Sequence, residues 1–86
     1  MNQSDELCVL ELMTTEGCHL CDQAVALLLA EVNPACFAVD LVDIAYDDTL
    51  MERYAVRIPV LRDAKGAELD WPFGATELRH FLAQLG

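Results

Sequence analysis

Leu7-Cys8-Val9-Leu10-Glu11-Leu12-Met13 is almost continuously apolar and lacks two-residue alternation. That pattern predicts a strand over about residues 6–13, covered on both faces as in a parallel sheet. Asp22 to Val32 is rich in Ala and Leu and free of Gly and Pro, which predicts a helix over about 19–32. Asn33-Pro34 closes it, because the residue before proline resists helical angles. Ala35 to Val42, with Phe37, Val39 and Leu41, predicts a second strand, and strand–helix–strand predicts a right-handed parallel βαβ unit.

The remaining pattern is shorter in period. Asp47-Asp48-Thr49 offers helix caps, with Thr49 and Glu52 at capping-box spacing, for a short helix ending near Tyr54 or Ala55. Ile58-Pro59-Val60-Leu61 predicts a short strand opened by proline. Asp63-Ala64-Lys65-Gly66 predicts a hairpin turn, and Ala67 to Trp71 its antiparallel return, stopped by Pro72. From Gly74-Ala75-Thr76-Glu77 a last helix places Leu78, Phe81, Leu82 and Leu85 on one stripe. The order is β-α-β-α-β-β-α: an α/β fold with a four-stranded mixed sheet and helices on both faces.

Length and composition narrow the class. Eighty-six residues, 55% of them apolar, suffice for one domain (1–86) with one core. The longest uninterrupted apolar run is Ala24–Ala30, far short of the roughly 18 residues that signal a membrane span. The first six residues carry acids rather than the basic region of a secretory signal, so a cytoplasmic protein is expected. Residues 1–52 contain eleven acids and no Lys or Arg, and the net charge is −10. Nucleic acid and anionic membranes are therefore poor partners. A monomer is expected.

Candidate chemistry centres on Cys18-His19-Leu20-Cys21 at the first strand-to-helix junction. A cysteine there faces unpaired helix N–H groups, and the helix dipole favours thiolate over thiol. A second cysteine one turn on is within disulfide reach. Four cysteines in a short chain also raise the question of a scaffold or metal site. Core residues are plentiful, however, which favours catalytic use. Cys8 lies about 20 Å from the junction at 3.3 Å per residue, and Cys36 opens the neighbouring strand at the same far end. Both are expected as buried, reduced core residues, and no metal site is expected.

The order of elements, the Cys18–Cys21 pair and the strand-opening Pro59 resemble the thioredoxin fold in its compact glutaredoxin form. Gly17-Cys-His-Leu-Cys-Asp22, Arg53-Tyr54 and Ile58-Pro-Val-Leu61 resemble small bacterial glutaredoxin-like proteins. The resemblance implies a thiol–disulfide oxidoreductase in which Cys18 attacks and Cys21 resolves. It also implies a cis bond before Pro59, with Ile58 and Pro59 presenting backbone to an extended substrate. Glutaredoxins usually carry Pro-Tyr between the cysteines, a lysine three residues earlier and a Gly-Gly-x-Asp turn. Here those positions hold His19-Leu20, Thr15 and about Pro72-Phe73-Gly74. No bound cofactor is implied; glutathione is a candidate co-substrate with weak dependence, and a protein disulfide or a reductase is the partner.

Several residues carry two readings at this point. His19 either stabilises the thiolate as imidazolium or is an exposed helix residue without a role. Arg57, with Arg53, either grips a substrate carboxylate or balances the acidic half. Trp71 and Phe73 either fill the core or border the substrate groove. The alternative to catalysis is a thioredoxin-fold module that binds a partner protein with little turnover.

Overall fold

The computed structural model describes residues 8–85, and the first strand, β1 (Cys8–Thr14), is central to its sheet. Residues 6 and 7 of the expected strand lie outside that range. Helix α1 (His19–Glu31) follows, then β2 (Phe37–Asp43), α2 (Asp48–Tyr54), β3 (Val60–Asp63), β4 (Glu68–Asp70) and α3 (Ala75–Ala83). The strand order is β2-β1-β3-β4. β1 pairs parallel with β2, from Cys8 opposite Phe37 to Thr14 opposite Asp43. It pairs antiparallel with β3, and β3 antiparallel with β4. The sheet is mixed, as expected.

Each face of the sheet has its own apolar cluster. Leu10, Leu12 and Leu61 point to the side covered by α1 and α3, where Ala24, Leu28, Phe73, Leu78 and Phe81 meet them. Met13 and Val60 point to the other side, against Ile44 and Tyr54. Because neighbouring side chains alternate across a strand, the near-continuous apolar run of β1 supplies both clusters. β1 is not covered along its whole length, though: Cys8 and Val9 are exposed.

Several boundaries differ from the sequence-based expectation for local reasons. β2 begins at Phe37 rather than residue 35, because Asn33 folds the preceding segment into a turn. Its backbone oxygen accepts from the N–H groups of Cys36 (2.9 Å) and Phe37 (3.0 Å), and its side chain accepts from that of Ala35 (2.9 Å). A 3-10 turn, Ile44–Tyr46, intervenes before α2, capped by the Asp43 side chain. The cap of α2 is Asp47, which accepts from Thr49 N–H (2.9 Å) and Leu50 N–H (3.1 Å); Thr49 itself is already inside the helix. β3 starts at Val60, with Pro59 just before it, and the bonds preceding Pro59 and Pro72 are both cis. Gly66 has φ 96°, the left-handed conformation that the β3–β4 turn needs.

Cys8 and Cys36 are corrected outright. Both are exposed free thiols, not core residues. They sit at the rim where the sheet begins, joined by the bond from Cys8 N–H to the Cys36 carbonyl, and Cys8 lines an open cavity with Asp63, Lys65 and Leu85. β2 is an edge strand, and an apolar groove of about 350 Å³ lies between it and α1, bordered by Val25, Leu29, Val32, Pro34, Phe37 and Leu41. No described helix is long and apolar enough to cross a membrane.

Candidate functional site

The end of β1 delivers the chain to the site. Thr15 leaves the sheet, Gly17 turns at φ 77°, and Cys18 becomes the N-cap of α1. Only glycine holds that backbone angle without strain from a Cβ. Thr15 is itself held: its hydroxyl donates to Asp43 Oδ1 at 3.1 Å, and that same oxygen accepts from Ala45 N–H at 2.9 Å. One carboxylate thus ties the loop before the cysteines to the end of β2. The sequence alone hid this brace, although Thr14 and Asp43 are register partners in the parallel ladder.

Cys18 and Cys21 form a disulfide, with Cα atoms 5.2 Å apart. Cys18 is partly exposed, whereas Cys21 is 2% exposed against the core. The Cys18 sulfur accepts from the backbone N–H of Cys21 at 3.1 Å. It therefore occupies the place of a helix-capping oxygen, where partial positive charge stabilises an anion. His19 and Leu20 lie between the cysteines and are exposed.

Antiparallel pairing brings a second segment to the same rim. Met13 opposite Val60 sets Pro59 beside the end of β1. Pro59 is buried and Ile58 half-buried, and the Pro59 carbonyl accepts from Trp71 N–H at 3.1 Å. The Trp71–Gly74 segment therefore shares this end. The two aromatics part ways: Phe73 is 5% exposed and belongs to the α1–α3 core, whereas Trp71 is half-buried and packs edge-on against it, centroids 5.1 Å apart.

Arg57 lies in the turn before Ile58, but its guanidinium is engaged. It donates to Glu68 Oε1 (2.6 Å) and to Asp70 Oδ1 and Oδ2 (2.8 and 3.2 Å). Those bonds raise the Arg57 pKa still further, the Asp70 contact most. Glu68 also accepts from the hydroxyl of fully buried Tyr54, whose ring lies 5.1–5.8 Å from the guanidinium carbons of Arg53, Arg57 and Arg62. Arg62 in turn binds Glu11 at 2.6 Å. The structure thus brings Cys18, Cys21, His19, Ile58, Pro59 and Trp71 to one rim, with Arg57 beside it on carboxylates of β4.

The profile of the Glutaredoxin-like domain (DUF836) matches residues 9–83. The X-ray structure of protein XcR50 from X. campestris is similar at 46% identity and TM-score 0.77, covering 87% of this chain and 96% of that one. Protein Ne2328 from Nitrosomonas europaea, solved by NMR, is similar at 26% identity and TM-score 0.75, covering 94% and 98%. Deadhead, a germline-specific thioredoxin of Drosophila melanogaster, shares the fold at TM-score 0.62 and 23% identity, over 96% of this chain and 85% of that one. No curated protein matches the chain significantly.

Proposed function

The chain belongs to the Glutaredoxin-like domain family, and from that premise we propose that it is a thiol–disulfide oxidoreductase. Family, fold and the Cys18–Cys21 pair together support redox chemistry. The observation that carries the finer reading is the asymmetry of the pair: one sulfur partly exposed at a helix N-cap, the other buried behind it.

In the reduced protein the Cys18 thiolate attacks one sulfur of a substrate disulfide. The substrate S–S bond breaks, a Cys18–substrate disulfide forms, and the departing sulfur takes up a proton. Cys21 then loses its proton and attacks Cys18, which releases the second substrate sulfur as a thiol. Two electrons have passed to the substrate, and the Cys18–Cys21 disulfide remains. The Thr15–Asp43 brace and the Cys21 N–H hold Cys18 in place through the cycle. Ile58 and Pro59 border the approach of an extended substrate segment, with Trp71 at its edge.

Glutathione is a weak co-substrate in this reading. The lysine that precedes the cysteines in glutaredoxins is Thr15 here, and the nearby arginine, Arg57, already holds two carboxylates. A protein disulfide or a reductase is the partner.

The test is trapping. Cys21→Ser should accumulate a mixed disulfide with an offered protein or peptide disulfide, and mass spectrometry should locate it on Cys18. Because Cys8 and Cys36 are exposed thiols, both variants carry serine there; on that background Cys18→Ser should trap nothing. A reduced native protein whose thiols leave every disulfide intact would instead make the domain a binding module.

A further inference from the structure

We propose that the disulfide this site reduces lies in a cationic segment, with lysine or arginine beside the target cysteine. The inference rests on the oxidoreductase reading and on where the charges sit.

The rim that carries Cys18 also carries Glu16, Asp22, Asp43, Asp47 and Asp48. Glu16 and Asp22 flank the cysteines in sequence, and Asp43 touches the loop before them through Thr15. Asp47 and Asp48 open α2 just beyond the end of β2, which the parallel register places level with the end of β1. None of these five joins an ion pair among the described residues, where the acidic partners are Glu11, Glu31, Glu68 and Asp70.

The bases do not offset this rim. Arg62 is bound to Glu11 and Arg79 to Glu31. Arg53 and Arg57 share Glu68, and Arg57 also holds Asp70, so that group is balanced within itself. Lys65 lies in the β3–β4 turn, beside Asp63, at the opposite end of β1. His19 is the remaining group at the rim able to carry positive charge. Nor do the acids form a chelate: among the described residues no three His, Cys, Asp or Glu side chains are placed to hold a metal ion. They are strung from the cysteine loop to the end of β2, which makes a field rather than an ion site.

A field of one sign around a reacting group raises the local concentration of oppositely charged substrate and its encounter rate. It acts over about 10 Å at 0.1 M ionic strength, enough to reach residues flanking a docked cystine. Leu20, between the cysteines and 46% exposed, supplies apolar surface and no charge that would favour an anion. Glutathione, a small anion, is disfavoured by the same field that draws a basic segment in.

The experiment uses the prereduced protein with Cys8→Ser and Cys36→Ser, which leave the dithiol as its only thiols, and three cystine peptides of equal length, with Lys, Ser or Glu on both sides of one cysteine. The readout is the single-turnover rate constant, divided for each peptide by its rate with dithiothreitol to remove intrinsic reactivity. At about 0.01 M salt, where the screening length is about 30 Å, the Lys peptide should exceed the Glu peptide about tenfold. At about 1 M salt, with screening near 3 Å, the ratio should fall towards one. A Glu16→Gln/Asp22→Asn variant should lower the ratio at low salt. Equal normalised rates, or a ratio that salt leaves untouched, would overturn the cationic preference while leaving the oxidoreductase reading standing. If no peptide is reduced, both fall together.

Discussion

Glu68 shows how a single carboxylate can tie one side of the site together. It accepts from Tyr54 and Arg57 and lies 3.6 Å from Arg53. These contacts, the Tyr54 hydroxyl first, hold its pKa below the ordinary value of 4.5. A carboxylate whose folded pKa is depressed adds stability that is present above the unfolded value and lost as pH falls through the folded one. Stability should therefore decline below about pH 4.5, and Glu68→Gln should flatten that part of the curve. Urea titrations of both proteins across the acid range check this; parallel curves would assign the acid sensitivity to other groups. Arg57 belongs to the same cluster, but Asp70 is open to water and Glu68 keeps Tyr54 and Arg53, so Arg57→Ala should cost only up to about 1 kcal/mol of stability. The slow turnover expected for a glutathione mixed disulfide should change little in that variant. Turnover at ordinary glutaredoxin rates that collapsed in Arg57→Ala would return the arginine to the binding site.

Elements were easier to read from the sequence than the contacts between them. The βαβ unit, the hairpin and the last helix follow from apolar period, from Pro34, and from Gly66 in its turn. All of these are local signals. The cap of α2 required a choice among Asp47, Asp48 and Thr49, three adjacent residues with suitable side chains, and only the backbone conformation decides it. Asp47→Ala should cost about 1 kcal/mol by removing an oxygen shared by two N–H groups. Thr49→Ala should cost less, and thermal melts of the pair distinguish the caps. The partners of Arg57 were hidden for a different reason: Glu68 and Asp70 reach it only through the β3–β4 register, which places Asp70 opposite Val60. Cys8 and Cys36 illustrate the same limit. Their apolar neighbours suggested a core, but burial depends on how tightly other elements close over each position, which a linear pattern does not contain. The dithiol was legible because the strand-to-helix junction that carries it is written in consecutive residues.

At the scale of the whole molecule the two apolar clusters share the central strands, so damage to either should be felt by both. Leu61→Ala, at a fully buried position, should cost about 2–5 kcal/mol, measured as a shift in the urea midpoint with one transition retained. Separate transitions for the two faces would contradict that coupling. The edge strand β2 has a different consequence. Among the described residues Phe37–Asp43 offers an unpaired hydrogen-bonding edge beside an apolar groove, without the lysine or proline that commonly guards such edges. What separates one copy from another is then the mutual repulsion of an excess of ten negative charges. Solubility should consequently be lowest in mildly acidic buffer, near the isoelectric point, where that repulsion vanishes. Light scattering followed through an acid titration would register the onset. Ala38→Lys, which places a guarding lysine on β2, should delay the precipitation that the native edge permits.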